Sequence, residues 1–72
     1  MKDDCFTLMR KFIPQEFWEN LMFIGWSNEI ALYKHSLTRH YINVDSEGKF
    51  YKYNGKGYEE IEKGVALRHL VS

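Results

Sequence analysis

Cysteine and proline each occur once in this chain, and both scarcities exclude something. A lone Cys5 cannot close an intrachain disulfide, so the stapling on which small secreted domains depend is absent and a reducing compartment is expected. With Pro14 as the only proline, and with no low-complexity tract, repeat or Gly/Ser run, nothing reads as a linker. Residues 1–72 are expected to form a single compact domain.

Long apolar runs are missing too. No stretch approaches the roughly 18–20 residues that cross a bilayer, and the start, MKDDCFTLMRKF, has acids where a secretory leader carries its basic segment. The expectation is a cytoplasmic protein with no membrane partner. Charge of one sign is also lacking: ten Lys/Arg balance ten Asp/Glu. That excludes the broad basic field of a dedicated duplex binder, although a local patch remains open. The balance is uneven along the chain. Residues 1–33 hold three basic and five acidic residues, whereas residues 34–57 hold five basic and two acidic ones.

Catalytic and cofactor motifs are equally scarce. Asn54-Gly55-Lys56-Gly57 lacks the G-x-x-x-x-G-K-[ST] order that opens a helix beneath a phosphate and reads as a turn. His35, His40 and His69 lack the close spacing of zinc ligands, and Cys5 lies far from them in sequence, so neither metal nor cofactor is expected. Cys5 beside Asp3 and Asp4 is set against thiolate formation. Glu59, Glu60 and Glu62 read as a solvated strand edge rather than a carboxylate pair. The chain is expected not to be an enzyme.

Aromatic residues are plentiful: 17% of the chain, within a hydrophobic fraction of 44%, which suits a folded globule. Over residues 3–13 the apolar positions Cys5, Phe6, Leu8, Met9, Phe12 and Ile13 follow a helical period, with Asp3 or Asp4 as cap. Pro14 interrupts that helix and opens a second, whose stripe is Phe17, Trp18, Leu21 and Met22 and whose end is Gly25. Residues 29–37 fit either a helix behind Ser27 or Asn28 or a strand, and the balance leans to strand because the next segment is β.

From residue 40 alternation takes over. HYINVD and KFYKYN flank a D-S-E-G turn in which Gly48 takes positive φ. A second turn at residues 54–57 leads to a short strand from Tyr58 to Glu62, and KGVALRHLV closes as a helix with Val65, Ala66 and Leu70 inward and Leu67 as a further candidate. The class is α+β: short N-terminal helices, an antiparallel meander of three to four strands, and a short C-terminal helix. Regular pairing with Ile42 and Val44 inward is expected to bring Tyr51 and Tyr53 into the core and to leave Tyr41, Phe50 and Lys52 outward.

Two candidate surfaces emerge. One is a basic hairpin face of Arg39, Tyr41, Lys49, Phe50, Lys52 and Lys56; the other is an aromatic helix surface containing Trp18, Phe23 and Trp26. Together they describe a non-catalytic interaction module with a larger protein partner. A small nucleic-acid binder built on the aromatic, lysine-bearing hairpin is the alternative, and a structural homodimer is a third possibility. At the level of class alone, a compact, aromatic-rich, cysteine-poor α+β chain of this length resembles the small accessory proteins of phages and other mobile elements, inhibitors of CRISPR and restriction systems among them. The resemblance implies a protein that occupies a surface of a larger host protein and inhibits or modulates it.

Overall fold

The structure, a computed structural model, describes residues 5–72; the Asp3 or Asp4 cap lies outside them. Helix α1 spans Thr7–Phe12, shorter than the 3–13 periodicity suggests, and turns Leu8 and Met9 inward. It ends where Pro14 requires: Ile13 is extended, at φ −106° and ψ 133°, because the pyrrolidine ring clashes with a helical residue before it. The Trp18 indole N–H then donates to the Ile13 carbonyl at 2.7 Å, which fixes the corner.

The second helix expected behind Pro14 does not form as such. Gln15–Asn20 makes only a 3-10 helix, and the chain continues from Leu21 as strand β1, Leu21–Ser27, so Gly25 lies within a strand. A run as uniformly apolar as LMFIGW carries no period that separates helix from strand, and pairing with the next segment decides. Strand β2 is Ile30–His35, β3 is Tyr41–Asp45, β4 is Phe50–Tyr53 and β5 is Tyr58–Ile61; helix α2, Lys63–Leu70, comes last. Among the described residues these make one antiparallel sheet of five strands in sequence order, one or two more than expected.

Register places Ala31 against Val44, Tyr33 against Ile42 and Val44 against Phe50. These side chains share one face, and on it they meet Leu8, Met9 and Ile13 from the α1 end and Ala66 and Leu70 of α2. Phe50 is thus a core residue, 2% exposed, and not an outward one. Tyr51 pairs across from Asn43 on the opposite face, and Tyr53 joins it there. The reason is the turn. Asp45 N–H donates to the Lys49 carbonyl at 3.0 Å, so Ser46, Glu47 and Gly48 form a three-residue loop, and an odd loop puts residues of equal parity on the same face. Val65, expected inward, is exposed, while Ala66 and Leu70 carry the packing of α2.

Both helices therefore cover one face of the sheet. The Tyr33 hydroxyl donates to the Cys5 carbonyl at 2.7 Å, which ties the N-terminal segment to β2 on that face. The far end of α2 is tied by the β2–β3 connection, where Thr38 Oγ1 donates to the Leu70 carbonyl at 2.6 Å. Among the described residues no helix packs its buried side chains on the other face.

Candidate binding groove on the open sheet face

A groove of about 890 Å³ is lined by residues of the open face and of α2, and its position is set by how the ladder ends. The pairing of β3 with β4 stops at Asn43 and Tyr51. Beyond that point β3 stays with β2 as far as Tyr41 opposite Lys34, and β4 stays with β5 as far as Tyr53 opposite Tyr58. The two hairpins diverge, and the groove occupies the divergence.

Its walls are apolar and aromatic. Ile24 of β1, Leu32 of β2, Tyr41 of β3, Tyr53 of β4, Tyr58 and Ile61 of β5, and Val65 of α2 line it. A bulge at Ile24 shifts the register between Phe23 and Gly25, and Ile24 itself is exposed. Tyr53 is 62% exposed and leans on Tyr58 with ring centroids 5.2 Å apart. Tyr41 carries the Lys34 ammonium 5.5 Å from its ring centroid, a cation–π contact.

Arg39 and Lys52 are the charged side chains in the groove lining. His40 and His69 line it too, and among the described residues none of its lining side chains is a carboxylate. Arg39 holds a left-handed conformation, φ 65°, at the end of the β2–β3 connection. His40 and His69 stack with centroids 4.5 Å apart and planes 16° from parallel. His40 Nδ1 lies 2.7 Å from the His69 carbonyl oxygen, which can only accept, so Nδ1 carries the proton. Lys52 also meets Glu59 at 3.6 Å with both side chains largely solvated, a weak pair.

Asn43 forms the floor. It is 4% exposed, and its Nδ2 donates to the Tyr51 carbonyl at 3.1 Å, at the pair where the β3–β4 register ends.

The expected surface residues divide accordingly. Arg39, Tyr41 and Lys52 come together in the groove. Lys49 sits at the β3–β4 turn, 3.5 Å from Glu47, and Lys56 is exposed in the β4–β5 turn, whose backbone N–H groups at Lys56 and Gly57 both bond Asn54 Oδ1 at 2.9 Å. Phe50 is in the core. Trp18 and Phe23 are half-buried against the core, Phe23 between Phe6, Tyr33 and Trp26, while Trp26 is exposed on the helix-bearing side of β1. Ile24, Leu32, Asn43, Tyr53, Tyr58 and the stacked histidines were not legible as a site. Tyr53 and Tyr58 do stand in the aromatic stretch KFYKYNGKGY, which was the available signal.

Asp45, beside the groove, is committed to the turn. Its Oδ1 accepts from the N–H groups of Glu47 and Lys49, each at 2.9 Å, and its Oδ2 accepts from the Tyr51 hydroxyl at 2.7 Å. Partial burial works against its charge, yet the Tyr51 hydroxyl, those two N–H groups and the Lys49 ammonium outweigh it and hold the carboxyl below its usual range. The same hydrogen bond, with some desolvation and the neighbouring negative charges, pushes the Tyr51 phenol up to about 12.

Among the described residues no group of three or more His, Cys, Asp or Glu is placed to hold a metal ion, and no helix is long and apolar enough to cross a membrane. Comparison with protein-family models, curated proteins and solved structures finds no match for this chain.

Proposed function

We propose that this protein is a non-catalytic interaction module that binds a larger protein through its open sheet face. One observation carries the reading: both helices pack on the same face, and where the two hairpins part a groove opens between the bare face and α2, with aromatic walls and the cations Arg39 and Lys52 in its lining. Apolar surface gathered in a concave site with a few convergent polar groups is the usual form of a binding site. The basic side chains select an acidic surface on the partner, and the rings supply apolar area at low entropic cost. Such a module acts by occupying its partner, as the small mobile-element proteins it resembles do, and the reduced thiol of Cys5 fits a place inside the cell.

Photo-crosslinking tests this without knowledge of the partner. A photoreactive amino acid at Tyr53, on the open face, is expected to trap a discrete protein in the source cell, and the same group at Arg68, exposed on α2, is not. Adducts from Arg68 alone would move the working surface to the helices, and adducts to nucleic acid from Tyr53 would replace the protein reading with the nucleic-acid one. Sedimentation showing a dimer that buries Tyr53 would assign the face to self-association.

A further inference from the structure

We propose that the groove takes an extended acidic peptide segment of the partner, with the Asn43 carboxamide reading its backbone; this rests on the binding role of the open face and specifies its ligand. The split ladder provides the main-chain groups. In an antiparallel pair every second residue aims its peptide groups at the same neighbour. Asp45 does so toward β4, donating to Lys49, and Asn43 is next in the ladder. By the same alternation Tyr41 aims its peptide groups toward β4, and Tyr53 aims its own toward β3. The pairs Ile42 with Lys52 and Tyr41 with Tyr53, which would continue the ladder, do not form. The main chain on both sides of the divergence is thus turned toward the groove, as at a sheet edge that accepts an added strand.

Asn43 adds a fixed side-chain amide at the same place. Its Nδ2 is held by the Tyr51 carbonyl, which sets the amide orientation, while Oδ1 accepts no hydrogen bond among the described residues. No buried side-chain polar atom among them lacks a partner, so this oxygen opens to the solvent of the groove. A carboxamide offers one acceptor and a second N–H, the complement of a peptide group.

Charge and ring geometry then choose between classes of ligand. Arg39 and Lys52 flank the groove without a lining carboxylate, which complements aspartate or glutamate side chains. A nucleic-acid strand is disfavoured by what surrounds them. Tyr53 and Tyr58 tilt against each other at 56°, and Tyr41 already carries Lys34, so the rings do not present the parallel free faces on which successive bases stack.

The test is a titration of isotope-labelled protein at low salt, read by amide shifts, with three probes. These are a short capped peptide alternating aspartate with phenylalanine and isoleucine, the same peptide with asparagine for aspartate, and a thymidine oligonucleotide of similar length. The aspartate peptide is expected to shift Leu32, Tyr41, Asn43 and Tyr53, and to bind about tenfold more tightly than its asparagine counterpart. Arg39→Gln and Lys52→Gln are each expected to weaken it severalfold. Asn43→Ala is expected to weaken both peptides alike; should it unfold the chain, the two surface variants still decide. Tighter binding of the oligonucleotide, equal binding of the two peptides, or shifts confined to the helices would overturn the proposal. Silence toward both peptides, with a protein still trapped from Tyr53, would overturn the ligand assigned here and leave the binding face standing.

Discussion

Thr38 and Leu70 are joined by a 2.6 Å hydrogen bond from a side-chain hydroxyl to the carbonyl of the last residue of α2, so the β2–β3 connection caps a helix 32 residues away. A helix leaves its final carbonyls without intrahelical partners, and His40 contributes a second bond at His69. Thr38→Val is expected to lower stability by about 1 kcal/mol, near the usual net value of such a bond, and Thr38→Ser by less. Urea unfolding of the three proteins checks it, and a larger loss for Ser than for Val would show that the methyl group, not the hydroxyl, matters.

The glycines of the two later turns separate backbone from contact. Gly48 and Gly55 both hold positive φ, 86° and 92°. A Cβ on Gly48 would stand 2.8 Å from the Phe12 ring, whereas at Gly55 it meets open space. Gly55→Ala is expected to cost about 1 kcal/mol from the left-handed backbone alone, and Gly48→Ala more. Equal losses would show that the Phe12 ring yields freely.

Asp45 and Tyr51 give stability opposite dependences at the two ends of the pH scale. The Asp45 carboxyl is depressed by folding, so its contribution is complete above about pH 4 and is lost as pH falls through the folded value. The Tyr51 phenol is raised, so its contribution is complete below about pH 10 and is lost as pH climbs toward about 12. Tyr51→Phe is expected to abolish the alkaline loss and to raise the Asp45 carboxyl, which carboxyl titration by NMR reads directly.

Phe50 and Tyr53, two of the rings in KFYKYNGKGY, are expected to behave in opposite ways. Phe50→Ala removes a ring from the core at about 3–5 kcal/mol, comparable to the whole stability of a domain this small, and should abolish the cooperative thermal transition. Tyr53→Ala, on the open face, should change stability by less than about 1 kcal/mol and instead weaken binding in the groove.

Arg39 sets charge against stability. A non-glycine residue at φ 65° is strained by its left-handed conformation, so Arg39→Gly is expected to raise stability by several tenths of a kcal/mol while removing a cation from the groove. A gain in the melting temperature with loss of peptide binding is the expected pair of results.

Local pattern carried a good part of the fold. The α1 turn broken before Pro14, the β2 strand, the β3–β4 hairpin with Gly48 at positive φ, the β5 strand and the closing α2 helix are all legible from alternation, helical period and turn residues. The β1 strand was not, because an unbroken apolar run matches every period. Of the groove, Arg39, Tyr41 and Lys52 were legible as basic and aromatic side chains near one turn. Ile24, Leu32 and Asn43 were not, since each is an ordinary strand residue until its neighbours are known.

Parity along a strand is a property of the sequence: Tyr51 and Tyr53 must share a face, and Phe50 must take the other. Which of those faces is buried depends on the loop that joins the strands. A three-residue turn closed by Asp45 and Lys49 set Phe50 beside Val44 and sent both tyrosines to the open side. The sequence alone determined an aromatic, α+β, disulfide-free chain with cations collected in its middle. Only the tertiary structure decided that both helices fall on one face and that the β3–β4 ladder ends at Asn43, because register and layer order arise from contacts between segments distant along the chain.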